Sequence, residues 1–133
     1  MSLILSTPTN PGEASWESAA GSALAQNIFG FANAGGTILA TESTSIWCTT
    51  GAVTPVNIAI GVSPTFAGQT LSFFLATDGG QNVVVTFPAA LNSAGNTIVT
   101  MNDANDSFVA TGVASGAATF TWVITANNGC ALS

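Results

Sequence analysis

The 133-residue sequence contains no lysine, arginine, histidine or tyrosine. Its charged fraction is 5%, against roughly 25% in ordinary soluble domains, and it consists of six carboxylates: Glu13, Glu17, Glu42, Asp78, Asp103 and Asp106. A formal charge of −6 with no side-chain cation cannot neutralise phosphates or release their counterions, so direct nucleic-acid binding is excluded. Binding to anionic lipid is excluded on the same ground. Ser–His, Cys–His, Lys Schiff-base and Arg-clamp chemistries each lack a residue type they need.

Carboxylate-only or metal-assisted chemistry remains open. Asp103 and Asp106, in Met101-Asn-Asp-Ala-Asn-Asp-Ser107, offer hard oxygen ligands of the kind Ca²⁺ takes, but without the full pattern of a calcium loop. Asn/Asp-rich turns arise more often from side-chain hydrogen bonds to the backbone. A glycosidase-type carboxylate pair is conceivable for Glu13/Glu17 or Asp103/Asp106, yet neither comes with cleft-forming aromatics or long loops. No phosphate loop, zinc spacing or nucleophile elbow is present. The expectation is a protein that is not an enzyme and has no cofactor and no metal.

Long hydrophobic runs are missing too. Hydrophobic residues make up 47% of the chain, but they come in short alternating runs far below the roughly 18 continuous residues of a membrane span. No membrane association is expected. The opening Met1-Ser-Leu-Ile-Leu-Ser-Thr-Pro8 has no basic region before its apolar residues, so no secretory signal is expected and synthesis is placed in the cytoplasm. The two cysteines, Cys48 and Cys130, both lie in apolar, strand-like contexts. Buried thiols are the first reading and a disulfide the alternative, since spacing alone cannot establish pairing.

What the sequence does contain is period-2 alternation from about residue 45 onward. Ile58, Ile60 and Val62 alternate with Asn57, Ala59 and Gly61; Leu71, Phe73 and Leu75 alternate with Thr70, Ser72 and, less cleanly, Phe74. Val83, Val85 and Phe87 follow, then Ile98 with Thr100, Phe108, and Phe120, Trp122 and Ile124. These read as half-buried β-strands. Turn-forming clusters recur at intervals of roughly ten residues, among them Thr77-Asp-Gly-Gly80, which predicts a tight hairpin, and Asn102-Asp-Ala-Asn-Asp106. The fold class expected is all-β: an antiparallel β-sandwich or barrel-like single domain with an extended N-terminal arm.

Residues 1–23 form the arm, with room for a short helix in the Ala-rich stretch Glu13 to Asn27, and residues 24–133 form the sandwich. Leu24 to Phe31 is expected to pair with Thr37 to Ala40 as a hairpin. Leu3, Ile4, Leu5 and Trp16 either dock on a neighbouring subunit or fold back on their own core. Trp122 is in phase with core residues, whereas Trp47 is out of phase with Ile46 and Cys48 and is therefore a candidate for a second buried face or an interface.

The missing cations also remove a common protection of sheet edges, where lysine in particular blocks pairing with other chains. Strands rich in Val, Thr and Phe without such residues need their edges covered, and oligomerisation is an economical way to cover them.

The order Ala67-Gly-Gln-Thr-Leu71, an apolar strand, Thr77-Asp-Gly-Gly80, Asn82-Val-Val-Val-Thr86, Asp103-Ala-Asn-Asp-Ser107, Thr121-Trp-Val-Ile124 and Asn127-Asn-Gly129 resembles small β-rich virion proteins of tailed bacteriophages. Those are often capsid decoration (cement) proteins or fibre modules. The resemblance covers roughly residues 45–133 and implies a structural protein on the outer capsid surface of a virion. It implies the major capsid protein and copies of itself as partners, with a homo-oligomer, a trimer by analogy. A fibre or surface glycan-binding module and a self-polymerising filament subunit are the alternatives.

Overall fold

The computed structural model describes residues 27–32 and 35–133, with side chains from residue 35 onward. Every regular element among them is a strand: β1 (Asn27–Ala32), β2 (Gly36–Ile38), β3 (Thr44–Thr49), β4 (Val56–Ile60), β5 (Thr70–Thr77), β6 (Val83–Thr86), β7 (Ile98–Met101), β8 (Ser107–Ala114), β9 (Phe120–Asn128) and β10 (Ala131–Leu132). They form two five-stranded sheets, the first in the order β1-β3-β5-β8-β9 and the second in the order β10-β7-β6-β4-β2. The all-β sandwich expected from the alternation is what the chain forms. The stretch expected to allow a short helix, and the arm residues Leu3, Ile4, Leu5 and Trp16, lie outside the described residues, apart from Asn27, which opens β1.

Uniformly antiparallel pairing is corrected. From β1 to β6 the chain alternates between sheets, so each sheet receives every second strand running the same way. The pairs β1/β3, β3/β5, β2/β4 and β4/β6 are therefore parallel. Parallel neighbours need a long crossover, usually a helix; here a strand of the opposite sheet does that work. Only β7 to β10 close the sandwich with antiparallel pairs.

Both expected hairpins fail for this reason. β1 and β2 lie in different sheets, as do β5 and β6. The Asp78-Gly-Gly80 turn is real: Gly80 has φ +110°, its N–H donates to Asp78 Oδ1 at 2.8 Å, and Thr50 Oγ1 donates to the same oxygen at 3.3 Å. Asp-Gly chemistry specifies a local reversal, but it does not specify which strand the chain meets afterwards. Here the reversal is tied to the end of β3, and the chain crosses to the other sheet.

Alternation builds the core. Ile46 and Cys48, Val56, Ile58 and Ile60, Leu71, Phe73 and Leu75, and Val83 and Val85 are all buried. On β7 the phase is opposite to that suggested by Ile98 and Thr100, since Val99 and Met101 face inward. Phe73 stacks on Phe108 at 4.6 Å, and Phe87 meets both Phe108 and Trp122 edge-on at 6.2 and 6.4 Å. Trp122 sits in the core as expected, its Nε1–H donating to the Val62 carbonyl at 2.9 Å. Each such buried aromatic contributes about 1.5–3 kcal/mol through burial.

Candidate docking face

The burial pattern of β3 places Thr44, Ile46 and Cys48 inside and leaves Ser45, Trp47 and Thr49 on the outer face of the first sheet. The same alternation puts Ser72 and Phe74 of β5, and Ser107 and Val109 of β8, on that face. Register then orders them into rows. Trp47 lies opposite Phe74, Phe74 opposite Ser107 and Ser107 opposite Asn128; in the adjacent row, Ser45 is opposite Ser72, Ser72 opposite Val109 and Val109 opposite Ala126.

Trp47 is 59% exposed. Its ring meets Phe74 edge-on at 6.1 Å and 63°, so the two aromatics hold one another on the surface. Beside them, small residues between Phe74 and Val109 leave a shallow, open depression of about 320 Å³, lined by Ser72, Phe74, Ser107, Val109, Ala126 and Asn128. None of these residues is charged. Of the positions singled out from sequence as interface residues, Trp47 is thus exposed on a sheet face and not buried in a second core. Phe74, Val109 and the depression were missed. Their signal is in the sequence: Ile46-Trp47-Cys48, Phe73-Phe74-Leu75 and Phe108-Val109-Ala110 are among the places, with Val83-Val84-Val85 and Trp122-Val123-Ile124, where alternation breaks and both sheet faces become apolar.

The carboxylates take other roles. Asp106 is buried, and its Oδ2 accepts the backbone N–H groups of Asn102 at 2.9 Å and Asp103 at 3.1 Å. Its other oxygen packs where a side chain at Gly129 would lie, and Gly129 has φ +85°. Through Oδ2, Asp106 shapes the turn before β8. Asp103 is exposed on that turn, and Asn128, which lines the depression, donates to the Asn105 carbonyl at 3.3 Å. Asp78 lies at the same end of the sandwich, just beyond β5, whereas Glu42 lies at the opposite end, before β3. Glu13 and Glu17 are outside the described residues. Among the described residues no group of three or more His, Cys, Asp or Glu is placed to hold a metal, and no helix is long and apolar enough to cross a membrane.

Two polar features are structural. Gln69 is fully buried; its Nε2 donates to the carbonyls of Ala40 and Glu42 at 3.2 and 3.1 Å, and its Oε1 accepts the Thr65 N–H at 2.7 Å. It clips together the loops that enter β3 and β5. Cys48 and Cys130 are free, buried thiols. Burial pushes Cys48 up to about 12. Burial, reinforced by the negative charge of Asp106, pushes Cys130 up to about 11. Neither is a nucleophile near neutral pH.

No family model and no curated protein matches the sequence.

Proposed function

We propose that the protein is a non-catalytic assembly component, a decoration protein on the outer surface of a bacteriophage head, which binds major capsid subunits through the outer face of its first sheet. The observation that carries this reading is Trp47, 59% exposed and paired with Phe74 on an uncharged sheet face. Aromatic residues are enriched at the centres of protein interfaces, and contiguous apolar surface on a soluble domain marks an interaction site. The resemblance of the strand-and-turn order to that of small phage virion proteins supports the virion setting, and the absence of side-chain cations disfavours nucleic acid and anionic membranes as competing partners. Leu3, Ile4, Leu5 and Trp16 would supply a second contact, to the shell or to copies of the protein.

Mixing the purified protein with heads of the virus whose genome encodes it, followed by sedimentation, tests the proposal. Stoichiometric retention and a higher temperature of head disruption are expected. Absence from both the pelleted heads and native virions would overturn it. A glycan-binding module is the second reading, favoured by an exposed Trp beside Ser and Asn side chains; retention on a neutral glycan array, lost in Trp47→Ser, would select it.

A further inference from the structure

The outer face of the first sheet and the segment that precedes that sheet in the chain meet at one edge. β1 is the edge strand, and it runs parallel to β3 with Asn27 opposite Thr44 and Gly30 opposite Trp47. A glycine at that register position puts no side chain directly beside the exposed Trp47 ring, whose other flank is taken by Phe74. The depression lies two to three strands further in, between Phe74 and Val109, and the surface it presents is almost wholly apolar. With strands about 4.8 Å apart and about 3.3 Å per residue along each, its centre is roughly 15 Å from Asn27.

Residues 1–26 lead into the sheet at Asn27, and the first 12 of them carry no charged side chain. Their one run of large apolar residues is Leu3-Ile4-Leu5, which matches an uncharged, apolar depression. Leu5 is 22 positions before Asn27, and at up to about 3.3–3.6 Å per residue that length spans several times the distance needed. Tethering then decides between occupants of equal chemistry. A segment linked on this scale meets the face at an effective concentration on the order of millimolar, which the same segment of a second copy has to exceed. We propose that residues 1–12 of the same chain cover the outer face of the first sheet in the free protein, with Leu3 and Leu5 against the depression between Phe74 and Val109, and that a protein partner takes the face by displacing them. This rests on reading the face as a docking surface and adds its regulation: the arm shields the apolar surface until assembly, and its displacement frees Leu3, Ile4 and Leu5 for the second contact.

The test places a nitroxide spin label on the full-length, isotope-labelled protein through Ser2→Cys; the two native thiols are buried and do not compete for the label. The amide signals of Trp47, Phe74, Val109 and Ala126 are expected to lose at least about half their intensity, unchanged on tenfold dilution as a tethered contact requires. Val84 and Thr100, on the outer face of the second sheet, should keep theirs. Adding Leu3→Ser and Leu5→Ser to the labelled chain should restore the lost signals. So should Ala126→Glu, which puts a charge on the exposed rim of the depression without entering the core. No broadening on the first sheet, equal broadening on both sheets, or broadening that survives the leucine substitutions would each overturn the inference. Broadening in mixtures where label and isotope are on different chains would also overturn it, by giving the face to the arm of a second copy. Amide shifts at Trp47 that grow with the concentration of the parent protein, the sign of face-to-face pairing, would do the same. If Trp47 is broadened but heads do not retain the protein, the capsid assignment falls and this inference stands. If heads retain the protein and the label broadens nothing on the first sheet, this inference falls alone.

Discussion

The two faces of the first sheet are built from the same strands, yet neighbouring residues have opposite tasks. On the inner face Ile46, Phe73, Leu75 and Phe108 are almost completely buried, and the Phe73–Phe108 stack at 4.6 Å joins two strands inside the sandwich. One residue away on each strand, Trp47, Phe74 and Val109 lie on the outside. The inner aromatics pack on one another within the sandwich, and the outer pair, Trp47 and Phe74, meet edge-on at the surface. On the proposed reading, stability and recognition are separated by a single step in sequence, so substitutions on the two faces should part cleanly.

The largest effect is expected inside. Phe108→Ala should cost about 3–5 kcal/mol through lost burial and a residual cavity, read as the shift of the urea midpoint. A loss comparable to that of an outer-face substitution would break the distinction.

Alkaline pH tests the inner face next. Both thiols hold their protons more tightly when folded than at their ordinary value of 9.0. Between pH 9 and about 11 the unfolded state therefore binds fewer protons, and stability, complete below pH 9, falls as pH rises. Each thiol contributes a slope of up to about 1.4 kcal/mol per pH unit. With no Lys, Arg or Tyr in the chain, no other side chain should obscure this loss. Thermal midpoints measured from pH 8 to 11 should decline in the parent and decline less in Cys48→Ala, compared with its own value at pH 8.

Asp106→Ala should cost about 1–3 kcal/mol, because two partly buried backbone N–H groups lose their charged acceptor. Denaturation of this variant beside Asp106→Asn, which keeps an oxygen, should show a partial return. The smallest stability effect belongs to the outer face. Trp47→Ser should cost no more than about 0.5–1.5 kcal/mol, the scale of one aromatic pair.

Much of this arrangement is legible in the sequence. Except on β7, where the phase is reversed, the strands and their inward residues follow from alternation, and Trp122 and the buried cysteines lie where their apolar neighbours put them. The pairing of the first six strands does not follow, because a period of two reports which face a residue occupies and not whether the next strand lies in the same sheet. Asp78-Gly-Gly80 makes the same local turn whether the chain continues into a hairpin or crosses between sheets. The proposed docking face is half legible. Trp47 stood out because its own phase was wrong for the core, whereas Phe74 and Val109 each looked like a small irregularity. Register is what places Phe74 opposite Trp47, with Val109 in the next row, and register is a tertiary property.

In this proposal the outer face recognises another protein while the inner face maintains the fold. It is tested most directly by measuring Trp47→Ser twice, for its unfolding midpoint and for its retention on sedimented heads. A stability within about 1.5 kcal/mol of the parent and at least a tenfold loss of retention are expected. Undiminished retention by a fully folded variant would contradict it.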